Sequence, residues 1–141
     1  MRLFFLLLLL TLLRGIAQAQ SAVPQSTTSA ETATRPVLLV FSGSDWCQPC
    51  IRFEKQVLSD SVFLAYAAQY LEVVKADFPQ KKKLSPEQRR ENEQLAEQYN
   101  PKGKFPHLVL LRPDRSVLAV LPSDAENGPA FIAQVKNYLP Q

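Results

Sequence analysis

The sequence predicts an α/β domain of order β-α-β-α-β-β-α, a central mixed sheet flanked by helices. Three observations carry that expectation. Val37-Leu38-Leu39-Val40-Phe41 is a continuous apolar run of strand formers, typical of a strand covered on both faces. From Cys47 onward the apolar spacing lengthens to a helical period through Ile51, Phe53, Val57 and Leu58. Near the C-terminal end, Leu108–Leu111 and Val117–Leu121 bracket Arg112-Pro113-Asp114-Arg115-Ser116, a turn with proline in its second position, so these two strands form a hairpin.

The remaining elements follow in order. Ser59-Asp60-Ser61 breaks the first helical pattern and caps a second stretch from Val62 to Tyr70. Leu71 to Phe78 reads as a strand that Pro79 ends. Ser85-Pro86-Glu87-Gln88 combines an N-cap serine, proline in the first turn and an early acid, which signals a helix from Pro86 to Tyr99. Leu95, Ala96 and Tyr99 dock its last turns, and its first half should be solvated. A final helix runs from about Asp124 or Ala125 to Leu139, with Phe131, Ile132, Val135 and Leu139 as its apolar stripe.

Residues 1–19 have the pattern of a secretory signal: Arg2, an apolar core from Leu3 to Leu13, and the cleavage-type triplet Ala17-Gln18-Ala19. The apolar core is roughly half as long as a spanning helix requires, so stable membrane insertion after cleavage is not expected, an uncleaved anchor being the competing reading. No cysteine follows it that could take a bacterial-type lipid. Residues 20–35 are polar and read as a flexible leader, leaving 36–141 as one domain. These features imply export to a compartment where disulfides persist, the periplasm of a bacterium. Without Arg2 and Arg14, 14 basic side chains face 13 acidic ones, a balance that suggests neither nucleic acid nor an anionic membrane as partner. The run Lys81-Lys82-Lys83 with Arg89-Arg90 reads most simply as solvated surface.

The only two cysteines lie in Trp46-Cys47-Gln48-Pro49-Cys50, where the first strand turns into a helix. Cys47 lands at the helix N-terminus, where free backbone N–H groups and the helix dipole favour a thiolate. Cys50 follows one turn later, near enough to close a disulfide. Covalent haem attachment would need histidine at position 51, which is isoleucine. Two thiols and one histidine fall short of a four-ligand zinc site. A static brace would gain little from so small a loop. The pattern points to a redox-active dithiol that needs no metal and no organic cofactor.

The element order and the Trp46-Cys47-x-x-Cys50 motif resemble the thioredoxin-like superfamily. Asp45-Trp46-Cys47-x-x-Cys50 with Arg52-Phe53-Glu54-Lys55 and Ser59-Asp60 is similar to small exported bacterial thioredoxin-like proteins and to the C-terminal domain of DsbD-type interchange proteins. The resemblance covers roughly residues 35–139. It implies a cis-proline at Pro106, which would bare the backbone of Phe105 to an incoming substrate strand. It also exposes a departure: where thioredoxins carry a buried aspartate six residues before the first cysteine, this chain has Phe41. Glu54, four residues beyond Cys50, is the candidate replacement, against a surface glutamate paired with a lysine. Trp46 either covers the disulfide or only packs. Asp45 either tunes Cys47 or, more simply, caps the helix. His107 reads as a strand residue, with substrate or metal contact as the alternative.

The expected function is exchange with protein thiols and disulfides by a monomer that a separate redox partner resets, in the reducing direction because Gln48-Pro49 resembles the Gly-Pro of reducing thioredoxins. A binding module with a static disulfide and copper handling through Cys47, Cys50 and His107 are the competing readings.

Overall fold

The computed structural model describes residues 35–139; the signal pattern of 1–19 and most of the 20–35 leader lie outside them. The elements are β1 (Val37–Ser42), α1 (Gln48–Phe53), α2 (Ser61–Tyr70), β2 (Glu72–Asp77), α3 (Pro86–Tyr99), β3 (His107–Leu111), β4 (Val117–Leu121) and α4 (Gly128–Lys136). The sheet order is β2-β1-β3-β4, with β1 parallel to β2 and the other two pairs antiparallel. This is the mixed sheet that the apolar run and the hairpin predict. At the hairpin, Arg115 takes φ 68°, and its turn closes with Arg115 N–H donating to the Arg112 carbonyl at 2.9 Å.

Alternation along β1 separates two apolar layers, because successive side chains leave a strand on opposite faces. Leu38 and Val40 join Phe53, Val57, Leu58, Phe63, Phe131 and Val135 beneath α1, α2 and α4. Val37, Leu39 and Phe41 face the other way, with Ala76, Val109 and Leu111, and are covered by Leu95, Ala96 and Tyr99 of α3. No residue of α3 is buried, so this helix docks only by its last turns, as its composition predicts. Its start carries a reciprocal cap: Gln88 N–H donates to Ser85 Oγ, and Ser85 N–H donates to Gln88 Oε1.

Two helices differ from expectation. The last begins at Gly128 rather than at 124 or 125, because the Asn127 side chain caps it by accepting the Ala130 N–H at 2.9 Å, and a proline follows in the first turn. It ends at Lys136; Tyr138 and Leu139 then bond only three residues back, which tightens the end into turns. The first helix continues beyond Phe53 as a π-helical turn over Glu54–Leu58, closed by Ser59 N–H donating to the Glu54 carbonyl at 2.9 Å. The helical period alone does not foresee that wider turn, which accompanies the burial of Phe53, Val57 and Leu58 together in one layer. Asp60 caps α2 and also accepts the Gly128 N–H at 3.3 Å, where any side chain on Gly128 would collide with the carboxylate. The starts of α2 and α4 are thereby locked together.

Candidate active site

β1 delivers the chain to a tight turn at its C-terminal end. The Gly43 carbonyl accepts the amides of Trp46 at 3.3 Å and Cys47 at 2.9 Å. The indole of Trp46 folds directly over Gly43: a Cβ there would collide with the ring, so a larger residue would force the indole to shift. Cys47 is the N-cap of α1, and its sulfur accepts the Cys50 amide at 3.3 Å. The two cysteines are joined in a disulfide with Cα atoms 5.2 Å apart, and both are buried. An N-terminal helix amide aimed at Sγ of Cys47 favours negative charge on that atom when the bond is opened.

Trp46, next to Cys47 in the chain, belongs to a cluster of aromatic rings. Trp46 Nε1–H donates to the Phe78 carbonyl at 2.7 Å, and its ring meets Phe105 edge-on with centroids 5.5 Å apart. Phe105 in turn meets Phe78 at 5.6 Å. The Phe105–Pro106 peptide bond is cis, as the resemblance implies. Trp46 therefore both packs and remains 38% exposed, so its indole contributes to the surface around the disulfide.

Cys50 lines a pocket of about 440 Å³ with Ile51, Ser42, Ser44, Asp77 and the pair Glu54–Lys75, among others. Lys75 Nζ donates to Glu54 Oε1 at 2.6 Å, with both side chains about half exposed. Glu54 is thus paired with a lysine, the simpler of its two expected readings, and it lines the same pocket as the second cysteine. Phe41 is fully buried in the α3-side layer, while Ser42, one residue on, opens toward the pocket.

Asp45 departs from expectation. It neither caps the helix nor touches Cys47; its carboxylate accepts the amides of Gln80, Lys81 and Lys82 at 2.8, 2.7 and 2.9 Å. Those bonds, led by that from Gln80, hold its carboxyl below the usual carboxylate range. The cap of α1 is Cys47 itself, which leaves Asp45 free to reach the neighbouring loop. Ser44 repeats the arrangement with Asp77, through its amide at 2.8 Å and its hydroxyl at 2.5 Å.

His107 places Nε2 3.2 Å from the Tyr99 carbonyl, which can only accept, so Nε2 carries the hydrogen. Burial lowers its pKa against the opposing pull of that bond, and the charge of Lys104 lowers it further. Its ring lies 5.9 Å from Phe41, in the layer under α3. Among the described residues, no group of three or more His, Cys, Asp or Glu side chains converges as a metal site. Sequence reasoning missed Lys75, Asp77, Ser44 and Phe78. Lys75 between the apolar Val73, Val74 and Ala76 of β2, and an aspartate at the strand's end, were the available signals.

A mixed four-stranded sheet between helical layers, with a disulfide at the helix start after its first strand and a cis-proline just before its third, is the architecture of a thioredoxin fold. Comparison with known proteins agrees: residues 18–113 match the model of the thioredoxin-like family, and the chain belongs to that family. It is similar to the disulfide bond reductase DsbH of Chlamydia pneumoniae, 39% identical over 105 residues, which are 74% of this chain and 63% of that protein. The chain thus spans less than two thirds of that relative's length. A solved structure titled DsbH oxidoreductase superposes with a TM-score of 0.70 at 38% identity, covering 75% of this chain and 73% of the other. The reduced C-terminal domain of Neisseria meningitidis DsbD shares the fold at 20% identity and a TM-score of 0.51, over 78% and 86% of the two chains. Among the described residues, no helix is long and apolar enough to cross a membrane.

Proposed function

We propose that this chain is an exported thiol:disulfide oxidoreductase that reduces disulfides in other proteins. The observation that carries the proposal is the Cys47–Cys50 disulfide, whose first sulfur caps a helix and accepts the Cys50 amide. In the reduced protein, the Cys47 thiolate attacks one sulfur of a substrate disulfide. The other sulfur leaves with the bonding electron pair and takes a proton from solvent. The Cys50 thiol then loses its proton and attacks Cys47 Sγ, which releases the second substrate thiolate and restores the internal disulfide. Two electrons pass to the substrate, and a separate redox partner must supply two more to reduce the Cys47–Cys50 disulfide again.

Glu54 is the proposed acceptor of the Cys50 proton, since it shares the pocket with Cys50 and Lys75 balances its charge. The exposed ring of Trp46 and the backbone beside Phe105 and Pro106 are the proposed surface on which a substrate strand rests. The reducing direction is supported by Gln48-Pro49 and by the printed name of the Chlamydia relative, a disulfide bond reductase. The signal pattern of residues 1–19 supports periplasmic export, and the domain is taken to act as a monomer.

The test is reduction of insulin by the protein with dithiothreitol as electron donor, alongside equilibration in glutathione buffers. Catalysed insulin precipitation that Cys47→Ser abolishes, with a potential near that of thioredoxin at about −270 mV, is the expected result. A disulfide that stays closed throughout the accessible range would overturn the redox reading in favour of a binding module. A potential about 150 mV higher would reverse the direction.

A further inference from the structure

Two loops that carry five lysines are tied to residues neighbouring the disulfide, one through Asp45 and the other through Phe105 against Trp46, and both are pinned by side chains. The first follows β2. Its amides at 80, 81 and 82 wrap the Asp45 carboxylate, two residues before Cys47, and Lys81, Lys82 and Lys83 all project from it exposed. The second precedes β3. Asn100, the one buried polar residue among those described, donates from Nδ2 to the Lys104 carbonyl at 2.9 Å and accepts the Lys104 amide at 3.0 Å. Lys102 and Lys104 are exposed on it, immediately before Phe105. Between the loops lies the aromatic trio of Trp46, Phe78 and Phe105. Among the described residues, none of these five ammonium groups forms an ion pair.

A run of lysines on a mobile surface would be solvated and of little consequence. Here the backbone beneath it is held by charge-assisted bonds beside the reacting sulfur, which turns a sequence-local run into a feature of the site. We infer that this basic rim docks an acidic segment next to the disulfide of the partner polypeptide, a proposal that rests on the redox reading above. The aromatic trio supplies contact area, and the lysines select the charge of what approaches. Glu93 and Glu97 line a shallow groove beyond Phe78, together with Pro101 and Gly103. Because the 100–104 loop borders that groove, charge on its side is mixed, and the selecting charge is that of Lys81, Lys82 and Lys83. Asp45 is then a positioning residue, acting through the loop it holds.

Charge-selective exchange tests this directly. A Cys50→Ser variant, with Cys47 reduced, is mixed with two peptides, each carrying one cysteine disulfide-linked to 2-mercaptoethanol. One peptide has glutamates flanking its cysteine and the other has lysines. Each rate is divided by that of the same disulfide with free 2-mercaptoethanol, which removes the intrinsic effect of peptide charge on thiolate attack. Hydroxyethyl disulfide serves as the uncharged reference. The acidic peptide is expected to react about 10-fold faster than the basic one at roughly 20 mM salt, converging at about 0.5 M. Lys81→Glu with Lys82→Glu and Lys83→Glu should erase or invert that preference while leaving hydroxyethyl disulfide within about twofold. Equal normalised rates at low salt, or a preference that survives the triple substitution, would overturn the docking proposal alone. No reaction with hydroxyethyl disulfide would instead overturn the redox reading beneath it.

Discussion

Glu54 and Lys75 meet at 2.6 Å on the wall of the pocket that Cys50 also lines. Because both side chains are about half exposed, their attraction contributes little to stability, roughly 0–1 kcal/mol. The pair sets the Glu54 carboxylate on the wall of the Cys50 pocket, where the proposed mechanism has it take the Cys50 proton. Glu54→Gln is therefore expected to leave the redox potential and unfolding midpoint almost unchanged. It should slow resolution of the mixed disulfide on the order of 10- to 100-fold near neutral pH, and less at high pH where the thiol ionises unaided. Quenched-flow trapping of the mixed disulfide reads this directly, and wild-type decay in the variant would remove Glu54 from the mechanism.

Asp45 holds the loop at 80–82, and its carboxyl is depressed chiefly by the Gln80 amide bond, then by the Lys82 and Lys81 bonds and the Lys81 charge. A depressed carboxyl contributes fully above its unfolded value and loses its contribution as pH falls through the folded one. The loop should thus stay pinned at neutral pH and loosen only below the ordinary carboxylate range. Amide exchange at Gln80, Lys81 and Lys82 measures it: slow at pH 6 in the wild type, faster in Asp45→Asn at the same pH.

His107 has the opposite chemistry and the same sign. Burial depresses its imidazolium form, so the unfolded chain takes up a proton more readily than the folded one. Its contribution is complete above the ordinary imidazole value of about 6.5 and is lost as pH falls from there to the folded value. NMR titration of the single imidazole should give a midpoint below the free value. The rise of the unfolding midpoint across this range should flatten in His107→Gln.

Phe131 is fully buried and meets Phe53 at 5.1 Å and Phe63 at 5.7 Å. It therefore joins α4 to the helix that carries the cysteines and to α2. Phe131→Ala is expected to cost about 3–5 kcal/mol in denaturant unfolding. A loss under 1 kcal/mol would mean that the layer collapses around the gap.

Much of the fold is legible in the chain because its signals are local. The run Val37–Phe41, the cap at Ser85 with Pro86, and the turn at Pro113 each act within a few residues, and each element formed where those signals point. The last helix shows the limit. Its apolar stripe is correct, yet Asn127 and the glycine and proline after it delay the start, a contest between capping and periodicity that composition does not rank. The π-helical turn at Glu54–Leu58 arises from how Phe53, Val57 and Leu58 fit one layer, which depends on α2 and α4 being present.

The sequence by itself determined the pair Cys47–Cys50, its place at a helix N-terminus, and the order of strands and helices around it. Those are properties of neighbours along the chain, set by apolar period and turn chemistry. Only the tertiary structure decided what surrounds the pair. Lys75 reaches Glu54 across 21 residues, and Asp45 grips amides 35 to 37 residues away. Phe105 reaches Trp46 because β3 lies beside β1 in the sheet. Such partners are chosen by strand pairing and packing, so a carboxylate that reads as a helix cap in the sequence becomes, in the fold, the anchor of the lysine-bearing loop at 80–82.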